Sequence, residues 1–215
     1  MRQIALFDKY IASRLESLEW RHFGVGALQD YLFESDSYEQ RIHIWHPDLV
    51  AEGIVGAGDM HNHRFSFTSK VLRGELHNQE YKINEGQYPV GQNAWGTEGH
   101  GDLYEVINAR EQKKSTGLYD GSVNFVKHVD VGPYGCETTY KAGDEYEFGR
   151  GRFHRTSFEG LTITLVTKFD TLPGMRAQII VPRGATLIHA FDESRKVDIP
   201  GIIEQAKYAL TVLTR

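Results

Sequence analysis

The spacing of apolar residues predicts a helix at each end of the chain. Near the start, apolar side chains recur every three or four residues, which places them on one helical face. These residues are Ile4, Phe7, Ile11, Leu15 and Leu18. Near the end, Asp198 and Pro200 form a helix-start signal, and apolar residues with helical spacing follow them. We therefore expect helices over residues 1–20 and 198–213.

Between these two segments, apolar and polar residues alternate with a period of two. For example, Ile163 and Leu165 alternate with Thr162 and Thr164, and Lys168 continues the polar positions. This alternation indicates β-strands, because successive side chains of a strand point to opposite faces. Short strands separated by glycine turns are typical of a sandwich or a closed barrel. The pattern predicts an all-β region over residues 38–182, inside a single domain that covers residues 1–215.

A polar, glycine-rich stretch over about residues 84–121 interrupts the strand pattern. It includes the sequence YPVGQNAWGTEGHG. Loops of this length are uncommon in a compact domain and are often functional. The segment DLYEVINAR, with Tyr104 and Val106, predicts one strand embedded in this insertion.

Composition removes several classes of protein from consideration. Hydrophobic residues make up 40% and charged residues 25% of the 215 residues, which is ordinary for a globular protein. The formal net charge is −5 and no basic stripe is present, so we expect no nucleic-acid partner. No apolar run approaches the roughly 20 residues of a membrane helix, and the N-terminus lacks the apolar stretch of a signal peptide. These features predict a cytoplasmic protein with no membrane partner.

His61 and His63 are the first candidate metal ligands. They lie two residues apart in the segment GAGDMHNHRF. On a strand, such residues share a face and are about 6.6 Å apart along the chain. Two imidazoles at this spacing can converge on one ion at about 2.1 Å from each nitrogen. The pair alone is equally compatible with two surface histidines.

A third candidate, His154, follows a glycine-rich segment, GDEYEFGRGRFH. Glycines this close to a histidine suggest a tight turn that delivers the imidazole into a cavity from the next strand. The three histidines are therefore candidate ligands of one divalent metal ion. The alternative is that they are buried, hydrogen-bonded core residues that bind no metal.

The segment around the first pair resembles the first motif of the cupin superfamily. That motif places a His-x-His pair before a glycine, and His61, His63 and Gly74 have the expected spacing. Gly56 and Gly58 precede the pair, although neither lies at the expected distance.

The segment around His154 resembles the second cupin motif. Gly143, Gly151 and His154 match it, whereas Gly149 replaces its proline and Phe158 replaces its asparagine. The resemblance implies a double-stranded β-helix, or jelly-roll barrel, with a divalent metal ion held by the three histidines. It also allows a homodimer.

The chain departs from the family at the usual glutamate ligand. Depending on the spacing used, that position holds Phe67 or Thr68, and neither is a usual metal ligand. A site of three neutral histidines resembles those of thiol dioxygenases and of cupin dioxygenases that cleave aromatic rings or diketones. This resemblance implies iron(II) with open coordination positions. Because neutral ligands leave the full charge of the ion in place, we expect a small anionic substrate.

Two other functions remain open at this point. A cupin with zinc, manganese or nickel acts as an isomerase, lyase or hydrolase, and three histidines on zinc can activate a water molecule. A ligand-binding cupin without catalysis would have the same fold and the same histidines.

The arginines near the histidines are candidates for substrate binding, because the planar guanidinium suits a carboxylate. Arg152 shares strand parity with His154 and is the strongest of them. Arg64 and Arg155 are direct neighbours of the ligands, so we expect them to point away from the site.

Tyrosine supplies the candidate acid or hydrogen-bond donor. Tyr146 is one choice, and the residues do not distinguish it from Tyr81 and Tyr140, since tyrosine also fills barrel cores. Phe67 and Val71 are expected to line the pocket and keep water away.

The remaining reactive side chains are expected to lie outside the metal site. His43 and His46 are three residues apart, so they face opposite sides of a strand and cannot easily share an ion. Cys136 is the only cysteine, which rules out an internal disulfide. We expect it to be a small buried or half-buried residue.

Overall fold

The computed structural model describes residues 2–23, 26–35, 38–50, 60–84, 99–106, 123–183 and 197–212. Its order of elements confirms the predicted all-β fold with a helix at each end. Most of the 84–121 insertion lies outside the described residues, as do Gly56 and Gly58 of the first motif. The strand expected within the insertion is present at Gly99–Val106.

The two helices occupy the ends of the chain. Helix α1 covers Arg2–Arg14 and continues into a 3-10 turn over Leu15–Ser17. Helix α2 covers Ile199–Val212. Its first turn follows Asp198, whose Oδ1 accepts a hydrogen bond from the Gly201 N–H at 3.0 Å. Asp198 therefore caps this helix, in line with the helix-start signal in the sequence.

The described residues between the helices form ten strands. They are β1 (Arg21–Phe23), β2 (Ala27–Glu34), β3 (Glu39–Trp45), β4 (Met60–His61), β5 (Ser66–Asn84), β6 (Gly99–Val106), β7 (Val123–Lys141), β8 (Glu145–Phe148), β9 (Phe153–Phe169) and β10 (Gln178–Pro182). Strands β1 and β2 precede residue 38, the expected start of the strand region. Each described pair of neighbouring strands is antiparallel.

Pairing of the long strands closes the sheet into a ring. Strand β9 pairs with β4 on one side and with β5 on the other, and the order β9, β4, β10, β6, β7, β5 returns to β9. The second half of β9 also pairs with β3, which carries β2 and β1 beyond it. Strand β8 pairs with the first half of β5. This closed antiparallel arrangement is a barrel, which is one of the two architectures that the alternation predicted.

One face of β2, β3 and β9 is apolar and is covered by both helices; we call it the helix face. Ile42, Ile44, Ile163 and Leu165 are buried there. The helix residues in the same cluster are Ile11, Ala12, Leu15, Ile202, Ala206 and Leu210. Removing this much apolar surface from water is the main stabilising contribution to the fold in this region.

A buried ion pair fixes the helices to strand β5. The Arg73 guanidinium donates to Asp8 on α1 at 2.8 Å and to the Ala209 carbonyl on α2 at 2.8 Å. Both charged side chains are largely buried, with 13% and 2% of their surfaces exposed. One arginine therefore joins the two ends of the chain through the sheet.

The opposite face of the same strands is partly polar, and we call it the site face. Cross-strand partners share a face, so Thr164 lies beside His43, and Lys168 lies beside both Glu39 and Phe67. Aromatic residues of this face contact the candidate metal ligands, as described below.

No helix within the described ranges has the length and apolar character needed to span a membrane.

Candidate metal centre

The three predicted ligands meet at one point of the barrel. One ring nitrogen from each of His61, His63 and His154 lies within 4.8 Å of the other two. His154 is buried, and the other two are partly buried. The two histidine motifs, more than 90 residues apart in the sequence, are therefore brought together by the fold.

Backbone pairing explains how the first motif reaches the second. His61 in β4 is the direct cross-strand partner of His154 in β9. Strand β4 ends at His61, so the expected strand through both histidines of the pair does not continue to His63. The His63 ring nevertheless returns to the cluster, with its centroid 4.7 Å from that of His61.

The glycine turn before His154 also holds the first motif in place. The Gly151 N–H donates to the His63 carbonyl at 2.8 Å. Gly151 has a φ of +75°, a left-handed conformation that favours glycine over residues with a side chain. The glycine-rich segment therefore does deliver His154 through a tight turn, and it fixes the backbone of a second ligand as well.

Asn62, between the two histidines, binds the neighbouring strand. Its side-chain oxygen accepts from the Gln178 N–H at 2.7 Å, and its backbone N–H donates to the Gln178 carbonyl at 2.9 Å. The Asn62 amide group also donates to the Gln178 side-chain oxygen at 3.0 Å. These three bonds hold the His-x-His backbone against β10.

Asn78 orients the imidazole of His154. The two side chains are both buried, and the His154 Nδ1–H donates to the Asn78 Oδ1 at 2.6 Å. A neutral imidazole has one N–H, so this bond leaves the Nε2 lone pair free to bind a metal. That Nε2 lies 3.0 Å from the Nε2 of His63. Such a bond from the second ring nitrogen to a carbonyl is the usual support of a metal-binding histidine.

The electrostatic environment keeps two of the ligands neutral. Burial lowers the pKa of His154 well below its usual value, and the neighbouring His61 and Arg152 lower it further. Burial likewise lowers the pKa of His63, with added effects from His61 and His154. Metal binding requires the unprotonated imidazole, so protons compete weakly for these two nitrogens at neutral pH.

The ligand set fits one divalent cation. The three ring nitrogens lie within 4.8 Å of one another, and each would have to lie about 2.1 Å from a shared ion, the distance typical of metal–imidazole bonds. Within the described part of the chain, the cluster contains three histidines and no carboxylate. Phe67, one of the two residues that fall at the glutamate position of the cupin motif, contacts His63, with ring centroids 5.1 Å apart.

Aromatic side chains form a wall around the histidines. The Phe65 ring lies 5.0 Å from that of His63, and the Phe148 ring lies 4.3 Å from that of His154. Phe67 and Phe148 are buried and pack against each other. Val71 was also expected to line the pocket. It packs instead in a different buried cluster, with Ala27, Trp45 and Leu76.

Arg152 and Tyr146 contact aromatic residues that surround the histidines. The Arg152 guanidinium forms an ion pair with Glu80 and stacks over the Phe148 ring at 5.1 Å. Tyr146 contacts Phe67, with ring centroids 6.3 Å apart, and stacks on Tyr140. Burial raises the pKa of Tyr146 to about 12, so its hydroxyl stays protonated at neutral pH.

The side chains expected outside the metal site have other partners or are exposed. His43 bonds to Gln29 at 3.2 Å, whereas His46 accepts from the Asp48 N–H at 3.2 Å, so these two histidines share no ion. Cys136 is exposed, which makes the expectation of a buried residue wrong. It lies on a stretch of β7 in which residues 133–139 are all exposed.

Sequence reasoning missed Asn78, Asn62 and Lys168. Asn62 lies between the two histidines, which is the only sequence signal that pointed to it. No sequence motif contains Asn78 or Lys168, because each of them acts through a residue on a neighbouring strand.

Comparison with known proteins gives structural neighbours only. No protein-family model matches the chain, and no curated protein matches it. An RmlC-like cupin from Shewanella frigidimarina is 16% identical, with 74% of this chain and 88% of that one covered and a TM-score of 0.37.

Two enzymes are among the other neighbours. Oxalate decarboxylase from Bacillus subtilis is 11% identical over 76% of this chain and 30% of its own, with a TM-score of 0.39. Hydroquinone 1,2-dioxygenase from Sphingomonas sp. TTNP3 is 8% identical over 65% of this chain and 63% of its own, with a TM-score of 0.32. All three TM-scores are low, and the function proposed below rests on the geometry of the site.

Proposed function

We propose that the protein is a metal-dependent cupin oxidoreductase, an iron(II) dioxygenase that acts on a small anionic molecule. The observation that carries this proposal is the convergence of three imidazoles, at His61, His63 and His154, inside an aromatic wall. Manganese, nickel and zinc fit the same donors and are the alternatives to iron.

The neutral donor set supports an anionic substrate. The low pKa values of His63 and His154 mean that these side chains add no charge of their own at neutral pH. A divalent ion held by neutral ligands keeps its full positive charge, which attracts anions. A fourth ligand that carried a negative charge would weaken this attraction.

The chain's own residues prepare the site. Bound iron(II) would supply redox chemistry with dioxygen, whereas bound zinc would supply Lewis-acid chemistry. Asn78 fixes the ring of His154, and Phe65, Phe67 and Phe148 exclude water from the volume beside the ligands. A dry, shaped site of this kind protects reactive species from hydrolysis.

We assign Arg152 and Tyr146 supporting roles. The Arg152 side chain is 47% exposed and its guanidinium lies over Phe148, so it is placed to meet an anion that enters from solvent. Tyr146 keeps its proton because its pKa is about 12, and it can therefore act as a hydrogen-bond donor but not as a base at neutral pH.

Oxygen consumption by separately metallated protein tests the proposal. Metal-free protein is loaded anaerobically with iron(II), manganese(II), nickel(II) or zinc(II), then mixed with catechols, diketones and thiols that do or do not carry a carboxylate. We expect oxygen uptake from the iron form, strongest with an anionic substrate. His154→Ala should abolish it, and His128→Ala, an exposed histidine on β7, should not.

Other outcomes would identify the alternatives. If the iron form consumes no oxygen with any compound but the zinc, manganese or nickel form converts one of them without oxygen uptake, the protein is a non-redox isomerase, lyase or hydrolase. If every metal form binds compounds without converting them, it is a ligand-binding cupin.

A further inference from the structure

A buried charged group lies on the site face, outside the metal ligands. It consists of Lys168 on β9 and of Glu39 and Arg41 on β3, and we call it the cationic cluster. Their side chains are only 7%, 13% and 18% exposed. Ionised side chains are rarely buried to this degree unless they are paired or have a function.

One carboxylate oxygen serves both cations of this cluster. Glu39 Oε2 accepts from Lys168 Nζ at 2.7 Å and from Arg41 Nη2 at 3.3 Å. The three side chains together carry one net positive charge when Lys168 is protonated. Arg64 adds positive potential, since it is close enough to Lys168 to lower the pKa of that amine.

The cationic cluster borders the metal centre. The Phe65 ring contacts both sites, with Lys168 Nζ 4.0 Å from its centroid and the His63 ring 5.0 Å from it. Phe67, which contacts His63, is the cross-strand partner of Lys168. Lys168 Nζ therefore lies no more than about 9 Å from the His63 ring centroid, a distance that a small molecule beside the histidines can span.

The two cations differ in how firmly they are held. Arg41 donates to the Tyr31 hydroxyl and stacks over the Tyr31 ring at 4.3 Å, which fixes its guanidinium. Lys168 has three N–H donors, of which Glu39 takes one. Lys168 therefore has N–H donors to offer a ligand.

Glu39 offsets only part of the free-energy cost of burying the charged Lys168 amine. The pKa of this amine is lowered to about 7, first by burial and second by Arg41, and the bond to Glu39 opposes this only in part. A second anion beside the amine would stabilise its charged form.

We propose that Lys168, supported by Arg41, binds the anionic group of the substrate, a carboxylate or a group of similar charge, while another part of the same molecule faces the three histidines. This inference rests on the proposed function, because it assigns the substrate-charge subsite of that metal pocket. It also places the main anion contact on the cationic cluster rather than on Arg152, which meets the substrate at the entrance.

A matched pair of ligands tests the subsite without any turnover. Catechol and 3,4-dihydroxybenzoate share the same two metal-binding hydroxyls and differ by one carboxylate. Their affinities for anaerobic, cobalt(II)-loaded protein are measured through the visible absorption of the metal. We expect the wild type to bind 3,4-dihydroxybenzoate about tenfold or more tightly than catechol, the effect of one charge-assisted hydrogen bond.

Two substitutions should move this ratio in opposite directions. Lys168→Met keeps the side-chain length and removes the charge, so the ratio should fall towards one while metal content stays unchanged. Glu39→Gln removes the competing carboxylate, so the ratio should rise at a pH low enough for Lys168 to stay charged, because Glu39 also helps to keep this amine protonated. Lys141→Met, at a surface lysine that is 71% exposed, is the control and should leave the ratio unchanged.

Each remaining result overturns the proposal. Equal affinities in the wild type, no binding of either ligand, or a ratio that survives Lys168→Met in folded, metal-loaded protein would each exclude the subsite. If Lys168→Met does not fold, the wild-type ratio and Glu39→Gln still decide the question. A carboxylate preference in protein that consumes no oxygen would leave the subsite intact and remove only the dioxygenase proposal.

Discussion

The two faces of strands β3 and β9 differ in chemistry although their residues alternate in sequence. On the helix face, Ile44 and Ile163 are fully buried against α1 and α2. On the site face, His43 and Thr164, which are adjacent in sequence to Ile44 and Ile163, are cross-strand partners in a polar row. One sheet thus stabilises the fold on one side and supports a reactive site on the other.

The polar row is possible because its members bond to one another. Trp45 Nε1 donates to the Thr164 hydroxyl at 3.1 Å, and His43 bonds to Gln29 at 3.2 Å. Buried polar groups without partners would cost free energy, whereas paired groups rigidify their surroundings. We infer that mutations on the helix face mainly change stability, and that mutations on the site face mainly change binding.

The largest expected effect on stability comes from the helix face. Ile163→Ala should lower the free energy of unfolding by about 2–5 kcal/mol, because it leaves a cavity beneath the helices. Metal affinity should stay within about twofold of the wild type, since Ile163 packs against the helices in a cluster that includes none of the three histidines. Denaturant unfolding and metal titration measure both quantities. Leu6→Ala, at an exposed position of α1, is the control and should change stability by less than about 0.5 kcal/mol. A large loss of metal affinity in Ile163→Ala would contradict this separation of the faces.

At Asn78 we expect the opposite pattern, a change mainly in metal affinity. Asn78→Ala removes the acceptor for the His154 Nδ1–H, so metal affinity should fall about 10- to 100-fold. Asn78→Asp keeps an acceptor oxygen and should restore most of the affinity. Competition titration with a chelator of known affinity measures the change. Unchanged affinity in Asn78→Ala would show that this bond does not orient the ligand.

A smaller effect is expected from His43 on the pH dependence of stability. Burial first, and then Arg41 and Lys168, lower its pKa from 6.5 to about 3. The unfolded chain binds this proton below about pH 6.5 but the folded protein does not, so stability is lost as pH falls from about 6.5 towards 3. In metal-free protein, His43→Gln should reduce this loss by roughly 1 kcal/mol between pH 6 and pH 5. Parallel stability curves for the variant and the wild type would contradict the assigned pKa.

The sequence predicted the parts of the structure that depend on local periodicity. The helical spacing of Ile11 and Leu15 and the alternation around Ile163 identified both helices and the β-fold. The histidine motifs identified the candidate metal centre because their spacing is itself the signal. Local alternation shows which residues share a face, but not what covers that face. Here the helices cover the apolar side, so the polar residues Thr164 and Lys168 face the site.

The missed residues depend on register between distant strands. Asn78 reaches His154 because the two lie on paired strands, 76 residues apart. Lys168 meets Glu39 only through the pairing of β3 with β9. The exposure of Cys136 likewise depends on what surrounds β7, which its own sequence does not encode. Neither register nor coverage can be read from a single segment.

Metal content per chain tests the central claim most directly. Protein purified anaerobically, loaded with iron(II) or zinc(II) and freed of excess metal should contain one ion per chain by elemental mass spectrometry. His154→Ala should contain almost none, and His128→Ala should match the wild type. If folded His154→Ala retains one ion per chain, the three histidines are not the metal site and the proposed function fails with them.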